Sequence, residues 1–352
     1  MRVVSIVGAR PQFIKAAPLL RALAQEHDSV LIHTGQHYDA AMSDVFFDEL
    51  AIPAPTHCLG VGSGSHGRQT AAMLMGLEPV LRASGADWVV VFGDTNTTLA
   101  GALAAAKCPL RVAHAEAGLR SYNRRMPEEQ NRVVVDHLST LLFCPSELAV
   151  RNLEREGITQ GVHQVGDLMA ESCGDAIGRA RQISTVVERL GLAPGTYLLA
   201  TVHRAENTDD PVRLRRIFEG LQAIGENVIV PVHPRTRLAI EASGVPIASH
   251  VRLIDPIGYL DMLKLQSDAR VVLTDSGGVQ REAYWLGVPC VILRDETEWG
   301  EIISTGANVL AGVDPARIVR LTRMAAAPAI TPALESHSRP SARIAQLLYE
   351  DI

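Results

Sequence analysis

The 352-residue sequence predicts an α/β protein of two doubly wound, Rossmann-like domains. Short β-branched runs alternate with longer helical patterns from end to end. The chain is too long for one ordinary core and comfortable for two. Continuous apolar strands separated by helices are typical of parallel sheets covered on both faces. Right-handed crossovers between such strands make each half a doubly wound unit.

Ten apolar runs are the candidate strands. They lie at residues 3–7, 30–33, 88–92, 110–113, 141–144, 197–202, 228–232, 270–274, 289–293 and 308–310. Helical patterns stand between them, among others at 14–26, 146–156, 212–224 and 259–265. Residues 166–189 carry charge and no turn cluster, so we expect a helix connecting two domains, 1–168 and 169–334. We expect a last helix within 335–352 to pack back on the N-terminal domain.

Composition and charge limit the class of protein. Hydrophobic residues make up 47% of the chain and charged residues 20%, which is typical of a globular protein. The net charge of −6 argues against a general nucleic-acid or membrane-surface binder. No apolar run reaches the roughly 20 residues that span a bilayer, and the first residues indicate a strand rather than a signal peptide. Five scattered cysteines without a CxxC pair indicate buried free thiols in a reducing compartment. We therefore expect a cytoplasmic protein.

The most informative residues follow the predicted strands. Seven polar segments begin where a strand ends, namely GARPQFIK (8–15), TGQHYD (34–39), GDTNTT (93–98), HAEAGLR (114–120), HRAEN (203–207), HPRTR (233–237) and TDSGGVQ (274–280). In open parallel sheets ligands bind outside the carboxyl ends of the strands, where loops diverge and helix N-termini point inward. The pattern predicts one interdomain cleft lined by loops from both halves.

The segment DSGGVQ (275–280) is typical of a strand–turn–helix junction that binds phosphate. Ser276, Gly277 and Gly278 would place backbone N–H groups at a helix N-terminus, which suits a pyrophosphate. Glu282, one turn on, could accept hydrogen bonds from ribose hydroxyls. The alternative is Ser276 as a plain N-cap, with the glycines relieving backbone strain. Because the segment is neither GxxxxGK[ST] nor GxGxxG, it argues against NTPase and dinucleotide-binding sites.

Four cations lie at strand-to-helix junctions of the two halves: Arg10, Lys15, His203 and Arg204. Cations that converge in this way stabilise a leaving diphosphate. Taken alone, Lys15 is better explained as a surface charge.

Three carboxylates are candidates for proton transfer. Asp94 and Glu116 each lie just past a strongly apolar strand, where a buried carboxylate needs a partner and invites a raised pKa. Glu128 and Glu129 follow Pro127, so either could merely complement a helix dipole, and for Glu129 we prefer that interpretation. Together, Asp94, Glu116 and Glu128 provide for proton transfer at two faces of a substrate.

The histidines do not predict a metal site. His33, His37, His114, His203 and His233 fall near the same edge, but no HxxH or HExxH spacing is present. The sequence also contains no GxSxG nucleophile motif.

Seven motifs, taken together, resemble those of the non-hydrolysing UDP-N-acetylglucosamine 2-epimerases. They are GARPQFIK, HTGQHYD, GDTNTT, HAEAGLRS, MPEEQNR, HRAEN and DSGGVQREA, and the resemblance covers about residues 1–315 in the family's order and spacing. It implies the two-domain GT-B fold, a homodimer, and a reaction without NAD or metal.

The resemblance also implies residue roles. The family's phosphate- and nucleotide-contacting positions match Arg10, His203, Ser276, Gly277 and Glu282. Its acid–base and sugar-contacting positions match Lys15, Asp94, Glu116, Glu128 and Arg132, and His203 is a further catalytic candidate. The implied reaction inverts C2 of UDP-N-acetylglucosamine to give UDP-N-acetylmannosamine, by elimination of UDP to a 2-acetamidoglucal and re-addition. Which acid serves which face is left open.

Two features bear on regulation and substrate. Some family members are activated by a second substrate molecule, and Gln36, His37, Arg68 and His233 match part of that region. RSYNRRMPEE and RDETEW resemble relatives that act on UDP-2,3-diacetamido-2,3-dideoxy-glucuronate. Arg124 and Arg125 could pair with a uronate carboxylate there, or be solvated surface arginines.

Two rival functional classes share parts of the pattern. A GT-B glycosyltransferase would need an acceptor groove and typically no carboxylate trio around C2. A non-catalytic UDP-sugar sensor would keep Arg10, Ser276 and Glu282 but could lose the acids. All three acids are present, which ranks the sensor last. An epimerase that hydrolyses its substrate is the closest variant.

Overall fold

The chain forms two compact units. The structure is a computed structural model that describes residues 1–36, 46–326 and 339–351. Unit 1 comprises Met1–Ser172 with Ser336–Ile352, and unit 2 comprises Cys173–Glu335. The division falls inside helix Leu168–Ile183, a few residues beyond the boundary expected at 168.

Unit 1 is built on a seven-stranded parallel sheet. Its strands are β1 (Arg2–Val7), β2 (Asp28–His33), β3 (His57–Cys58), β4 (Trp88–Phe92), β5 (Arg111–Ala115), β6 (Leu141–Cys144) and β7 (Val162–Gln164). Their order is β3-β2-β1-β4-β5-β6-β7, so the chain winds outward from β1 first on one side and then on the other. The loops after β1 and β4 therefore meet at the switch point of a doubly wound sheet.

Helices connect these strands. They are Arg10–Glu26, His66–Ser84, Asn96–Lys107, Pro127–Leu138, Glu147–Arg155, Leu168–Ile183 and Pro340–Glu350, and residues 46–50 are also helical. Local signals fix several starts, because Thr95 and Ser146 accept a backbone N–H as N-caps. Pro127 and Pro340 occupy first helical positions, where the missing N–H costs nothing.

Unit 2 repeats the plan with six parallel strands. They are β8 (Leu198–Thr201), β9 (Val228–Pro231), β10 (Val251–Ile254), β11 (Val271–Thr274), β12 (Cys290–Ile292) and β13 (Asn308–Leu310), in the order β10-β9-β8-β11-β12-β13. The helices are Val186–Arg189, Ala205–Thr208, Pro211–Ile224, Pro234–Ser243, Tyr259–Asp268, Gly277–Trp285, Gly300–Ser304 and Pro315–Met324. Leu198 and Leu199 belong to separate hydrophobic clusters, so both sheet faces are covered. The prediction of two doubly wound sheets is confirmed.

Three strands were absent from the sequence prediction, and each lies at a sheet edge. They are β3, β7 and β10. Both residues of β3 are exposed, and most residues of β7 and β10 are only partly buried. An edge strand packs against fewer neighbours, so it carries no continuous apolar run to mark it.

Two of the predictions concern the connecting helix and the last helix. A helix does connect the two units, but it covers Leu168–Ile183 and a second helix, Val186–Arg189, follows it, so only the predicted extent of 166–189 was wrong. The last helix, Pro340–Glu350, packs against Arg10–Glu26 of unit 1. The Trp88 indole N–H also donates to the Leu348 carbonyl oxygen at 3.0 Å. These contacts fasten the C-terminal helix to the amino end of β4.

The cysteines correct one expectation. Cys108, Cys144, Cys173 and Cys290 are buried free thiols, but Cys58 on β3 is exposed. Across the parts of the chain that the structure describes, no helix is long and apolar enough to cross a bilayer.

Candidate active site

The loop after β1 is fastened to the end of β4 in unit 1. Gln12 Oε1 accepts the backbone N–H groups of Gly8 and Ala9 at 2.9 and 3.1 Å. Its amide nitrogen donates to the Phe92 carbonyl oxygen at 2.9 Å. A Cβ at Gly8 would lie 2.1 Å from the Thr34 hydroxyl oxygen and 2.2 Å from that of Thr97, so this close approach needs glycine. Gly8 and Gln12 thereby hold the loop after β1 close to the segment that follows β4.

Asp94 follows β4 and is held by a buried arginine. Arg132, on helix Pro127–Leu138, donates through one terminal nitrogen to Asp94 Oδ2 and through the other to Glu129 Oε2, the latter at 2.5 Å. The Arg132 side chain is 2% exposed and that of Asp94 is 27% exposed. The guanidinium is therefore fixed between two carboxylates, and of these Asp94 faces solvent more.

Glu116 follows β5 and is held by Lys15. The Lys15 ammonium lies 2.5 Å from Glu116 Oε1, and both side chains are nearly inaccessible. Lys15 is therefore not a surface charge. Glu116 has φ 74°, a left-handed conformation that costs a non-glycine residue of order 1 kcal/mol or more and that clusters at functional sites. A Cβ at Gly93 would approach the Lys15 ammonium at 2.9 Å, so glycine there leaves room for the pair.

Lys15 and Glu116 also line a small polar cavity. Its wall includes Pro145 and Asp167, which follow β6 and β7, and Ile344 of the C-terminal helix. Asp167 Oδ1 accepts the Met169 backbone N–H at 2.8 Å, which fixes its carboxyl group at the start of helix Leu168–Ile183. Sequence reasoning did not identify Asp167, because no local motif marks it.

The structure separates the adjacent acids Glu128 and Glu129. Glu129 is 4% exposed and accepts the backbone N–H groups of Ser121 and Tyr122 at 2.9 and 2.8 Å, in addition to Arg132. Burial opposes its ionisation, but these hydrogen bonds and the Arg132 charge outweigh burial, so the pKa of Glu129 is lowered. Glu129 thus orders a loop, and the interpretation that it merely complements the helix dipole was wrong. Glu128 is only partly buried.

Arg10 lies at the start of the first helix of unit 1. It is partly buried, and its guanidinium lies 4.4 Å from the centre of the Phe46 ring. A cation over an aromatic face keeps its charge while its rotamer is restricted.

Asp275 organises the equivalent edge of unit 2. It is fully buried at the end of β11 and accepts the backbone N–H groups of His203 and Arg204, each at 3.1 Å. The Asn207 amide donates to it at 3.0 Å. The His203 side chain is 56% exposed with its ring 3.4 Å from the same carboxylate. One buried carboxylate therefore presents the HRAEN segment beside the turn that begins at Ser276.

Ser276 is the N-cap of helix Gly277–Trp285. Its hydroxyl accepts the Val279 backbone N–H at 3.3 Å, and residues 276–279 are partly exposed. Neither Gly277 nor Gly278 has positive φ, so the suggestion that these glycines relieve backbone strain was wrong. A Cβ at Gly277 would lie 2.9 Å from Glu298 Oε1, which gives that glycine a packing reason instead.

Glu282 lies on the same helix and is 3% exposed. Gln266 donates to its Oε2 at 2.8 Å. Burial raises the pKa of Glu282, with partial compensation from hydrogen bonds of Gln266 and Tyr259 and from the Arg281 charge. The Arg281 guanidinium itself lies 3.9 Å from the centre of the Trp299 ring. A buried carboxyl group such as that of Glu282 is stabilised by a further hydrogen-bond donor, for example a hydroxyl group.

Three of the four positions suggested for regulation lie among the described residues, and they differ in exposure. The Gln36 side chain is 8% exposed and accepts the Thr97 backbone N–H at 2.9 Å, so it braces the loop after β2. Arg68 is exposed, and His233 is exposed as the N-cap of helix Pro234–Ser243. His37 lies outside the described residues.

The sequence-predicted residues fall into one group in each unit. Unit 1 holds the set Arg10, Lys15, Asp94, Glu116, Glu128 and Arg132, and unit 2 holds the set His203, Ser276, Gly277, Gly278 and Glu282. Sequence reasoning gave no role to Gln12 or Asp275, and it gave Glu129 only that of complementing a helix dipole. Gln12 and Asp275 stand inside polar segments that follow strands, which was a usable signal. Glu129 carried none, because its partners are set by a loop conformation.

Comparison with known proteins identifies the family. The family model for UDP-N-acetylglucosamine 2-epimerase matches residues 21–344. A UDP-N-acetylglucosamine 2-epimerase homolog of Methanococcus maripaludis is 48% identical over 324 residues, 91% of either chain. The UDP-2,3-diacetamido-2,3-dideoxy-D-glucuronate 2-epimerase of Pseudomonas aeruginosa is 48% identical over 332 residues, 92% of either chain. The crystal structure of Methanocaldococcus jannaschii UDP-GlcNAc 2-epimerase in complex with UDP-GlcNAc and UDP is similar with a TM-score of 0.94 at 40% identity, covering 99% of this chain and 100% of that one. The chain therefore belongs to the UDP-N-acetylglucosamine 2-epimerase family.

Proposed function

We propose that this protein interconverts UDP-N-acetylglucosamine and UDP-N-acetylmannosamine by inverting C2. The observation that carries the proposal is the pair of carboxylates at the ends of the adjacent strands β4 and β5. Asp94 is paired with Arg132, and Glu116 is paired with Lys15. Two acids that follow neighbouring strands are suited to proton transfer at one substrate.

The reaction proceeds by elimination and re-addition. A carboxylate removes the C2 proton, the C1–O bond breaks, and its electron pair leaves with the UDP phosphate oxygen. The C2–H electrons form the C1=C2 bond of 2-acetamidoglucal. A protonated acid then returns a proton to the opposite face of C2 while the UDP oxygen re-forms the bond to C1. Direct deprotonation without loss of UDP is too costly, since this C2 is not next to a carbonyl carbon.

The two units divide the work in this proposal. Asp94, Glu116 and Glu128 supply acid–base groups. Arg132 holds Asp94, and Lys15 holds Glu116. In unit 2 the N-terminal turn at Ser276, together with His203, receives the diphosphate, because exposed backbone N–H groups at a helix start favour anions. Glu282 accepts ribose hydroxyls. Arg10 adds positive charge, which stabilises the leaving UDP.

Deuterium exchange tests the function. The protein is incubated with UDP-N-acetylglucosamine in heavy water, with neither metal nor NAD added, and C2 is followed by NMR. We expect both C2 epimers to form with deuterium at C2 and UDP to stay bonded in the products. Net release of free sugar would instead indicate a hydrolysing epimerase. Transfer to an acceptor would indicate a glycosyltransferase, and binding without exchange would indicate a sensor.

A second candidate substrate is UDP-2,3-diacetamido-2,3-dideoxy-glucuronate. The 48% identity to the Pseudomonas aeruginosa enzyme of that name favours it. Arg124 and Arg125 are exposed beside the loop that Glu129 holds, where a uronate carboxylate could pair with either. Deuterium exchange at C2, measured with this uronate donor, decides between the two substrates. Faster exchange with the uronate, reduced by Arg124→Ala or Arg125→Ala, would reassign the substrate and leave the mechanism unchanged.

We further propose that the protein is a homodimer that acts in the cytoplasm. Support for the dimer is the family resemblance together with Met75 and Val134, which are 77% and 43% exposed on two helices of unit 1. Light scattering should give twice the chain mass, and Met75→Arg should lower it. Support for the location is five free thiols, which suit a reducing compartment. Fractionation of cells that express the protein tests it.

A further inference from the structure

Asp136 is a buried carboxylate linked to the two loops that carry Asp94 and Glu116. It lies on helix Pro127–Leu138 and is 1% exposed. Its Oδ1 is 2.7 Å from His114 Nδ1, and the other ring nitrogen of His114 is 2.7 Å from the Gly93 carbonyl oxygen. Its Oδ2 accepts the backbone N–H of Gly118 at 3.2 Å.

These contacts reach the two reactive acids by very short paths. Gly93 directly precedes Asp94, and Gly118 is two residues after Glu116. The Gly93 backbone N–H also donates to the Ala115 carbonyl oxygen at 2.9 Å, which ties the same two loops once more. One side chain thus sets the spacing of the loops that carry the two carboxylates.

The hydrogen-bond partners of His114 indicate which of its ring nitrogens donate. The Gly93 carbonyl oxygen can only accept, so His114 Nε2 must carry a hydrogen. Burial opposes ionisation of Asp136, but the hydrogen bonds and charges of His114 and Arg120 outweigh it and lower the pKa of Asp136. An ionised carboxylate also only accepts, so His114 Nδ1 must carry a hydrogen as well. His114 therefore donates through both ring nitrogens, to the Asp136 carboxylate and to the Gly93 carbonyl oxygen.

A second ion pair completes the network. Arg120 donates to Asp136 Oδ2 at 2.7 Å and to both carboxylate oxygens of Glu156 at 2.6 and 2.7 Å. Arg120 therefore joins two carboxylates. A buried network of this kind is rigid when every member is satisfied, and it is costly to break when one member is lost.

We propose that Asp136 is a positioning residue for epimerisation at C2, acting through His114 and Gly118 on the loops that carry Asp94 and Glu116. The inference rests on the proposed function. Asp136 does not touch the substrate, and its effect is to hold two proton-transfer groups at a fixed spacing. Displacement of a reacting group by about 1 Å is enough to lower turnover on the order of 100-fold.

Two substitutions at position 136 separate geometry from charge. Asp136→Leu removes every hydrogen bond at similar volume, and we expect kcat to fall about 100-fold. Asp136→Asn can keep every hydrogen bond, because the new amide can donate to His114 Nδ1 and still accept from Gly118 and Arg120. We expect its kcat to stay within about fivefold of wild type. In nitrogen-15 NMR, His114 should carry two hydrogens in the wild type and one, on Nε2, in Asp136→Asn.

A second pair of variants keeps the test decisive if Asp136→Leu does not fold. His114→Gln alone places an amide oxygen against the Asp136 carboxylate or loses the bond to Gly93, so kcat should fall at least tenfold. Combined with Asp136→Asn, the glutamine amide can accept from position 136 and donate to Gly93, and kcat should recover. Trp88→Phe is the matched control, because it removes one buried hydrogen bond at the amino end of β4, away from Asp94.

The outcomes are distinguishable from failure of the proposed function. Wild-type exchange at C2 is measured first, and the dissociation constant for UDP, bound by unit 2, should stay within about twofold in every variant. Amide hydrogen exchange at residues 93–95 and 116–118 should accelerate in Asp136→Leu whether or not the substrate has been identified correctly. The inference is overturned if folded Asp136→Leu keeps wild-type kcat, if the double variant shows no recovery, or if Trp88→Phe lowers kcat equally.

Discussion

Glu128 and Glu129 are adjacent in sequence, and we predict different consequences for their replacement by glutamine. Glu129→Gln should lower stability, and Glu128→Gln should lower turnover. Glu129 Oε2 accepts from the Ser121 backbone N–H and hydroxyl at 2.9 and 3.0 Å and from Arg132 at 2.5 Å. Its Oε1 accepts the Tyr122 backbone N–H at 2.8 Å. In Glu129→Gln one of these oxygens becomes a donor that faces other donors, and Arg132 loses a buried counter-charge.

The size of the effect follows from these contacts. Breaking a buried ion pair by removal of one partner costs about 3–5 kcal/mol. We therefore expect Glu129→Gln to lower the free energy of unfolding of unit 1 by about that amount. Glu128 is partly buried and makes no side-chain hydrogen bond within the described residues, so Glu128→Gln should change stability by no more than about 0.5 kcal/mol. Turnover should fall in Glu128→Gln without this loss of stability.

The effect of Glu129 also has a defined pH dependence. Because the folded-state pKa of Glu129 is lowered from an ordinary value of 4.5, its contribution is fully present above that value and is lost as the pH falls below it and through the folded-state pKa. The difference in free energy of unfolding between wild type and Glu129→Gln should therefore shrink as the pH falls below about 4.5.

Urea unfolding measures both effects. The chain has three tryptophans, and Trp285→Phe with Trp299→Phe leaves Trp88 as the only reporter, which lies in unit 1. Both glutamine variants are compared in this background. The reasoning is refuted if Glu129→Gln unfolds within about 1 kcal/mol of its parent at neutral pH, or if Glu128→Gln costs more than about 2 kcal/mol.

Three further predictions concern turnover and nucleotide binding. Asp94→Asn and Glu116→Gln should lower kcat at least about 100-fold in the deuterium-exchange assay with little change in UDP affinity by calorimetry, and equal losses of both would contradict their assignment as acid–base groups. Ser276→Ala should weaken UDP binding more than its cap cost of about 1 kcal/mol in stability explains, whereas Asp314→Ala, which removes the N-cap of helix Pro315–Met324, should cost stability and leave UDP affinity unchanged. Glu282→Gln should weaken UDP binding about tenfold or more, and because the pKa of Glu282 is raised on folding, its stability relative to wild type should improve as the pH rises above 4.5.

The central strands of both sheets were predictable from sequence. β4 and β6 have the predicted bounds, and the residues of both are buried. A strand covered on both faces needs apolar residues at every position, so it leaves a continuous run that a sequence scan detects. Edge strands such as β3 and β10 escaped detection because pairing with their neighbours, rather than an apolar run, creates them.

The site was predictable as a set of positions. Polar segments after apolar strands located Asp94, Glu116 and Ser276 because the carboxyl ends of parallel strands share one edge. The identity of each partner was not predictable. Arg132 reaches Asp94 from 38 positions along the chain, and Lys15 reaches Glu116 from 101 positions away. The packing of helices on the sheet decides which residues so far apart in sequence meet.

The sequence by itself therefore determined two parallel sheets, the edge at which the candidate site residues stand and, through its motifs, the family. Only the tertiary structure decided which carboxylates are surrounded by donors and which stay partly exposed. Glu128 and Glu129 are identical in type and adjacent, yet a loop conformation surrounds one with donors and leaves the other partly exposed. The physical reason is that the protonation and role of a carboxylate depend on the donors and charges around it, and those come from distant parts of the chain.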